Sequence, residues 1–265
     1  NLTWEETTTV DLGLDLELLN GKITASADYY QSTTDGLLLE VPVPAQSGFS
    51  SSLQNLGKVE NQGFELELSH SNKIGLITIS NSLNFSTVKN EVKALGPGQD
   101  QITELFHITE LGNVIGSYYG YKVLGVYTSE AQIEDSPHDD RALVGSYQYE
   151  DINKDGKIND QDRTTIGNFF PKYTFGFQTQ LQYKNLDLSF LIQGKQDYQI
   201  FNAMGWFLLS GEGWNNTSGE QVGKYYQDGT NEVKYAKPRK SPTDKLYEYY
   251  VEGAHAKLKD LSDNN

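Results

Sequence analysis

From Thr8 to Leu18 every second residue is apolar: Val10, Leu12, Leu14, Leu16 and Leu18 alternate with Thr9, Asp11, Gly13, Asp15 and Glu17. A period of two held this long puts all five apolar side chains on one side of an extended strand and scatters them around a helix. The pattern recurs. Asn20-Gly21 signals a tight hairpin turn, after which Ile23, Ala25, Ala27 and Tyr29 alternate with polar residues. Phe64, Leu66 and Leu68, then Ile77, Ile79, Leu83 and Phe85, form a second pair, with the turn expected at Ser71-Asn72. Tyr173, Phe175, Phe177, Leu181 and Tyr183 face Leu186, Leu188, Phe190 and Ile192 across a turn at Lys184-Asn185.

Between the pairs lie long irregular stretches. Gln31 to Gly57, with Val41-Pro42-Val43-Pro44, reads as a loop carrying at most a short extended segment. Lys89 to Asn113, Ser129 to Asp140 and about Gly194 to Asp244 read as loops too, with weaker strands from Leu246 to Leu261. Strand, short turn, strand, long loop is the rhythm of an antiparallel transmembrane β-barrel, with short periplasmic turns and long extracellular loops. A soluble sandwich shows the same alternation with its apolar stripe turned to a core, and periodicity does not separate the two. In a barrel the stripe meets lipid, the polar stripe lines a wet lumen, and Tyr29, Tyr173 and Tyr183 sit in interfacial girdles.

Composition agrees with an all-β chain. Of 265 residues only 37% are hydrophobic, while 17 Tyr, 11 Phe and 25 Gly suit strands and turns. A mean hydropathy of -0.57 excludes a helical membrane protein and leaves a barrel open, because a barrel strand needs only about 9–11 residues, alternately apolar. A net charge of -15 opposes nucleic acid and polybasic membrane anchoring but suits divalent cations. No cysteine is present, so disulfides and thiolate metal sites are excluded. The chain opens at Asn1 without Met or a signal segment and stops after Asn265, which reads as ends removed by processing or truncation.

The sharpest local motif is Asp151-Ile-Asn153-Lys-Asp155-Gly156-Lys157, running on to Asp162. Side-chain oxygens at positions 1, 3 and 5, Gly at 6, a carbonyl at 7 and a carboxylate at 12 are what a calcium loop uses, so Asp151, Asn153, Asp155, the Lys157 carbonyl and Asp162 are candidate ligands for a structural Ca2+. An Asx-rich turn without metal accounts for the same residues. Asp at position 12 and the lack of a preceding amphipathic helix argue against an EF-hand. His70, His107, His138 and His255 lack metal or triad spacing, and Glu65 with Glu67 or Asp15 with Glu17 are the carboxylates of any polar stripe, so no catalytic residue is assigned. Phe49, Trp206, Phe207 and Trp214 are loop aromatics suited to packing or to stacking on a sugar.

Several segments in order resemble one family, the SusC/RagA-type TonB-dependent outer-membrane transporters. They are Asn1-Leu-Thr-Trp4-Glu5, Gly13-Leu14-Asp15, Asp28-Tyr29-Tyr30, Asp35-Gly36-Leu37-Leu38, Val41-Pro42-Val43-Pro44 with Gly48-Phe49, and Asn55-Leu56-Gly57. Val59-Glu60-Asn61-Gln62-Gly63-Phe64-Glu65, Gly116-Ser117-Tyr118-Tyr119-Gly120-Tyr121 and the Asp-rich loop leading to Asp162-Arg163-Thr164 and Tyr173 continue the series. The resemblance implies import of an oligosaccharide or peptide across the bacterial outer membrane, without catalysis. It further implies a 22-stranded barrel with an N-terminal plug, TonB acting through a region absent here, and a SusD-like surface lipoprotein as lid. Residues 1–265 would then be a partial barrel lacking the plug and the last strands; Ala254 to Leu261 departs from the family pattern. The alternatives are a soluble secreted β-sandwich binding glycans with calcium, and a surface adhesin or structural barrel.

Overall fold

A computed structural model describes residues 2–96, 99–104, 106–202, 204 and 259–260. Four long strands come first: β1 (Glu6–Leu18), β2 (Ile23–Pro42), β3 (Ser51–Ile74) and β4 (Ile77–Ala94). Short elements follow, namely β5 (Gln101–Thr103), β6 (His107–Glu110), β7 (Ser117–Gly120), β8 (Val123–Val126), α1 (Glu130–Glu134), β9 (Tyr147–Tyr149) and β10 (Thr164–Gly167). Two long strands return as β11 (Tyr173–Tyr183) and β12 (Leu186–Gln196), then the short β13 (Gln199–Ile200) and β14 (Lys259–Asp260). The long strands form one antiparallel sheet in the order β1-β2-β3-β4-β11-β12. No helix among the described residues is long and apolar enough to cross a membrane, which leaves crossing by strands untouched.

Register explains the two faces. Leu16, Ala25, Leu68, Leu83, Phe177 and Ile192 lie in one cross-strand row; Leu14, Ala27, Leu66, Phe85, Phe175 and Gly194 lie in the next. Cross-strand neighbours share a face, so the alternation read along each strand becomes a continuous apolar band across six strands. Nothing covers it. Leu12 is 75% exposed and Leu186 71%, and β1 is exposed at every position. A soluble sandwich buries such a stripe; a barrel turns it to lipid.

Close approaches fix the register. Gly63 pairs with Tyr30, and a Cβ there would stand 2.3 Å from the Thr87 carbonyl oxygen and 2.7 Å from the Tyr30 ring, so only glycine fits. The Phe175 ring covers Gly194 in the same manner on the apolar face.

The three short connections lie at one end of the sheet. Leu19–Lys22 links β1 to β2, Gly75-Leu76 links β3 to β4, and Lys184-Asn185 links β11 to β12. At the first, Leu19, Asn20 and Gly21 all have positive φ, so the expected Asn-Gly turn is real but spans four residues. The second corrects the expectation at Ser71-Asn72: β3 runs on to Ile74, and Gly75, at φ 64, takes the left-handed conformation in the turn.

The expected loop from Gln31 to Gly57 is also corrected. It is mainly strand, with β2 and β3 paired from Ile23–His70 to Pro42–Ser51 through bulges near Gly36, leaving only 43–50 as connection. Alternation stops there because the strands leave the apolar layer, while backbone pairing continues in water. Lys89–Ala94, expected to be irregular, likewise still pairs with β3. The expected strands of 246–261 fall outside the described residues apart from β14.

The connection 95–172 carries its own core. Tyr121, Val126, Tyr147, Tyr149 and Ile158 are buried together, with Val123 and Val144 packed beside them. Tyr121 and Tyr149 rings lie 5.0 Å apart. Two seams tie this module to its surroundings, one to β4 of the sheet and one to β13. Val92 exchanges backbone bonds with Gly112 and Asn113, and the Ile115 N–H donates to Asn90 Oδ1 at 2.9 Å. Across the module the Asn168 N–H donates to Gln199 Oε1 and the Gln199 N–H to the Asn168 carbonyl, both at 2.8 Å.

Candidate functional site

Opposite the apolar band is a polar wall. Glu17, Thr24, Ser69, Ser82 and Gln178 share one row that ends at the exposed Leu191, and Asp15, Ser26, Glu67, Asn84, Gly176 and Gln193 the next. Gly13, Asp28, Glu65, Ser86, Thr174 and Lys195 follow, with Ser86 and Thr174 hydroxyls 2.7 Å apart. Asp11, Asp15, Glu17, Asp28, Glu65 and Glu67 form no ion pair among the described residues. The wall thus presents hydroxyl, amide and carboxylate groups on one face of the sheet.

Among the described residues the histidines do not assemble. His70 lies on the apolar face, where its Nδ1 accepts from the Asn81 amide at 3.4 Å and Asn81 Oδ1 accepts from the Thr179 hydroxyl, a polar row that satisfies itself within the band. His107 packs on Tyr118, its ring 5.5 Å away. The His138 ring donates from Nδ1 to the Ser136 carbonyl at 2.8 Å, and His255 lies outside the described residues, as do Trp206, Phe207 and Trp214. Phe49 stands 72% exposed on the 43–50 connection.

The Asp-rich loop is built from the backbone outward. Asp151 accepts from the Lys154 N–H at 2.6 Å and from the Gly156 N–H at 2.9 Å; the Asn153 side chain accepts from the Asp155 N–H, and Asp155 from the Lys157 N–H. Lys154 and Gly156 take positive φ, 61° and 86°, to make the bend. Asp162 is fully buried and accepts from Ile152, Asn153 and Asn159 N–H groups. Its bond to Asn159 closes a capping box over Asp160–Asp162. Bonds from the Lys157 N–H and the Asn153 amide hold the Asp155 carboxyl below its ordinary range. Thus Asp151, Asn153, Asp155, Lys157 and Asp162 do share one loop. Among the described residues, however, no three His, Cys, Asp or Glu side chains converge at metal-holding distance.

The sequence reading missed the tyrosine core on which this loop sits. Ile158 inserts into that core and the Tyr121 hydroxyl donates to Asp160 Oδ1 at 3.2 Å. Tyr127 is buried too, its hydroxyl donating to the Pro137 carbonyl, and burial raises its pKa. The signal available was Tyr147-Gln-Tyr149, an alternation too short to stand out. Arg163 stacks over Tyr119, 4.3 Å from the ring centre.

Comparison with known proteins places this architecture. A family model described as TonB dependent receptor-like, beta-barrel matches residues 1–239. The TonB-dependent receptor P3 of Formosa agariphila is 33% identical over 99% of the chain and 27% of its own length. P26 of the same organism is 37% identical over 76% of the chain and 21% of its own length. The TonB-dependent receptor SusC of Bacteroides thetaiotaomicron is 28% identical over 84% of the chain and 23% of its own length. Among solved structures, the RagAB peptide transporter superposes with a TM-score of 0.69 over 92% of the chain and 27% of that protein, at 22% identity, which speaks for the fold. The chain therefore spans about a quarter of the length of these relatives. An uncovered apolar band backed by a polar wall, with short turns at one end and long connections at the other, is the anatomy of an outer-membrane barrel wall, and the chain belongs to the TonB-dependent receptor β-barrel family.

Proposed function

We propose that this chain forms part of the wall of a transporter that imports an oligosaccharide or a peptide across the outer membrane, with the polar face lining the passage. The observation that carries the reading is the six-stranded sheet with one apolar face uncovered among the described residues and one mainly polar face. In a protein of the relatives' length, the rest of a 22-stranded barrel, a plug and the segment that meets TonB would come from elsewhere in the sequence. A SusD-like surface lipoprotein would cap the mouth beside the 43–50 and 95–172 connections. Family membership supports these partners. The wall itself does no chemistry in this reading: its carboxylates and hydroxyls offer hydrogen bonds to a passing solute.

The test is uptake by cells with and without the gene that carries this sequence, using labelled oligosaccharides and peptides, before and after a protonophore. Energy-dependent uptake of one class, lost on deletion, is expected; unchanged uptake of both classes would refute the assignment. For the Asp-rich loop, a structural Ca2+ held by Asp151, Asn153, Asp155, the Lys157 carbonyl and Asp162 is a further proposal. Oxygen donors at the required spacing and the bend at Gly156 support it. Binding would have to draw the Asp151 and Asp155 carboxylates together around the ion. Calorimetry with Ca2+ against Mg2+ checks this, and an absence of heat and of any thermal shift would leave the loop a metal-free turn.

A further inference from the structure

The polar face is not an even surface. Gly176 of β11 stands between Asn84 of β4 and Gln193 of β12, and on the same face its neighbours along β11 and β12 are Thr174, Lys195 and Leu191. Gly176 is buried and carries no side chain, so the wall is hollowed there. A Cβ at this position would stand 2.8 Å from Asn84 Oδ1, and the glycine is what leaves the Asn84 amide room to lie across the floor. The hollow measures about 610 Å³, within the usual range of about 300–1,000 Å³ for a small-solute site, and Tyr198 borders it at the end with the long connections. Tyr198 is placed by its neighbour Gln199, whose side chain and N–H are both bonded to Asn168 where the 95–172 module rejoins the chain.

Its chemistry differs from that of the wall around it. No carboxylate lines the hollow; in its row the first is Glu67, on β3, beyond Asn84. Thr174 is engaged with the Ser86 hydroxyl, but among the described residues the side chains of Asn84, Gln193, Lys195 and Tyr198 make no hydrogen bond or ion pair within the protein. The main chain of the floor is already spent, because β11 is paired with β4 on one side and β12 on the other. An extended peptide that docks on a sheet through its backbone therefore finds no partner on this floor. A solute rich in hydroxyls finds two free amides, each of which donates and accepts as a hydroxyl does. Leu191, 59% exposed, and the Tyr198 ring add the apolar surface that the C–H face of a sugar ring needs.

We propose that this hollow is a saccharide subsite of the inner wall. Asn84 and Gln193 hold the hydroxyls of one neutral sugar ring, Lys195 donates to a further oxygen, and Tyr198 lies against the ring's C–H face. The subsite rests on the reading of the polar face as the lining of a passage, and it narrows the cargo from oligosaccharide or peptide to a neutral oligosaccharide. Neutrality follows from the surroundings: Asp15, Asp28, Glu65 and Glu67 on the neighbouring strands repel a polyanion, and the single ammonium of Lys195 does not offset them.

The test uses energised cells that carry the full-length protein containing this sequence, and four labelled probes: maltohexaose, cellohexaose, hexagalacturonate and hexaalanine. A neutral hexasaccharide should be taken up in preference to the other two. Asn84→Ala combined with Gln193→Ala removes two hydrogen bonds and should raise the half-saturation concentration about tenfold, with the maximal rate and the amount of protein at the surface unchanged. Gly176→Val keeps a strand-forming residue but fills the hollow, and should do the same. Should neither variant reach the surface, Gln193→Ala alone, at an exposed position, decides by a rise of about threefold. Saccharide uptake indifferent to these changes, or a preference for hexaalanine or hexagalacturonate, would overturn the subsite and leave the transporter reading standing. Energy-dependent uptake of no probe by the unaltered protein would overturn both.

Discussion

The sheet and the 95–172 module solve opposite problems with the same kinds of residue. In β1 the leucines, and in β12 Leu186 and Leu188, point outward and are exposed, and the strands are held by cross-strand bonds and by a solvent that is itself apolar. In the module, tyrosines and Ile158 turn inward and bury one another, and the polar ends are tied by bonds such as Tyr121 to Asp160. A hydrophobic side chain is therefore not a core marker in this protein: Leu14 and Ile158 are equally apolar and sit in opposite places. What separates them is periodicity sustained over a full strand in one and absent in the other.

The contrast can be broken from either side. The largest effect is expected at Asp162→Ala, which removes a buried carboxylate and the three charge-assisted bonds it accepts from partly buried N–H groups, and should cost the module about 3 to 5 kcal/mol. Hydrogen exchange at Ile152, Asn153 and Asn159 should rise while β1 and β2 are unchanged. Leu14→Arg, in the middle of the band on β1, should cost about 2 to 4 kcal/mol of folding free energy in a bilayer. Equilibrium unfolding from vesicles checks this, and no effect would mean the band does not face lipid.

Gly63→Ala should cost about 1 to 3 kcal/mol, because the added methyl meets the Thr87 carbonyl and the Tyr30 ring. Loss of Tyr30 anisotropy in near-ultraviolet dichroism would accompany it. Lowering pH should loosen the Asp-rich loop. The Asp155 carboxyl is held below its ordinary value by its hydrogen bonds, so its contribution is present above that value and is lost as pH falls through the lower folded one. Proteolysis near residue 155 should therefore increase only below about pH 4. The smallest effect is at Leu19→Gly, which relieves a left-handed leucine in the first turn and should stabilise by about 1 kcal/mol.

Much of the sheet was legible because its signal is repeated. Leu12 to Leu18, Ile23 to Tyr29 and Tyr173 to Tyr183 each kept period two, and all became strands in the expected pairs. The parts that were misread share a cause. Gln31 to Asp35 and Gln54 to Asn61 are strand without a repeated apolar alternation, since here the outward face is polar and the other face is covered by the 95–172 module only at points such as Val59 and Val92. The turn at Gly75 was missed in favour of Ser71-Asn72 because both pairs are common turn formers, and only the register of the whole sheet chooses between them. The Asp-rich loop was legible as a loop and as an oxygen-rich one. That its buried member Asp162 serves backbone donors, and that Ile158 pins it to a tyrosine core, depends on packing that no local spacing encodes.

The central claim is that the uncovered apolar band faces lipid. Its most direct test is to refold the chain with and without detergent micelles and follow β-structure together with monodispersity. The account predicts ordered, monodisperse β-structure only when micelles are present, with aggregation in plain buffer. A folded monomer in plain buffer would contradict it, since Leu12, Leu14, Leu186 and Leu188 would then have to be covered by protein.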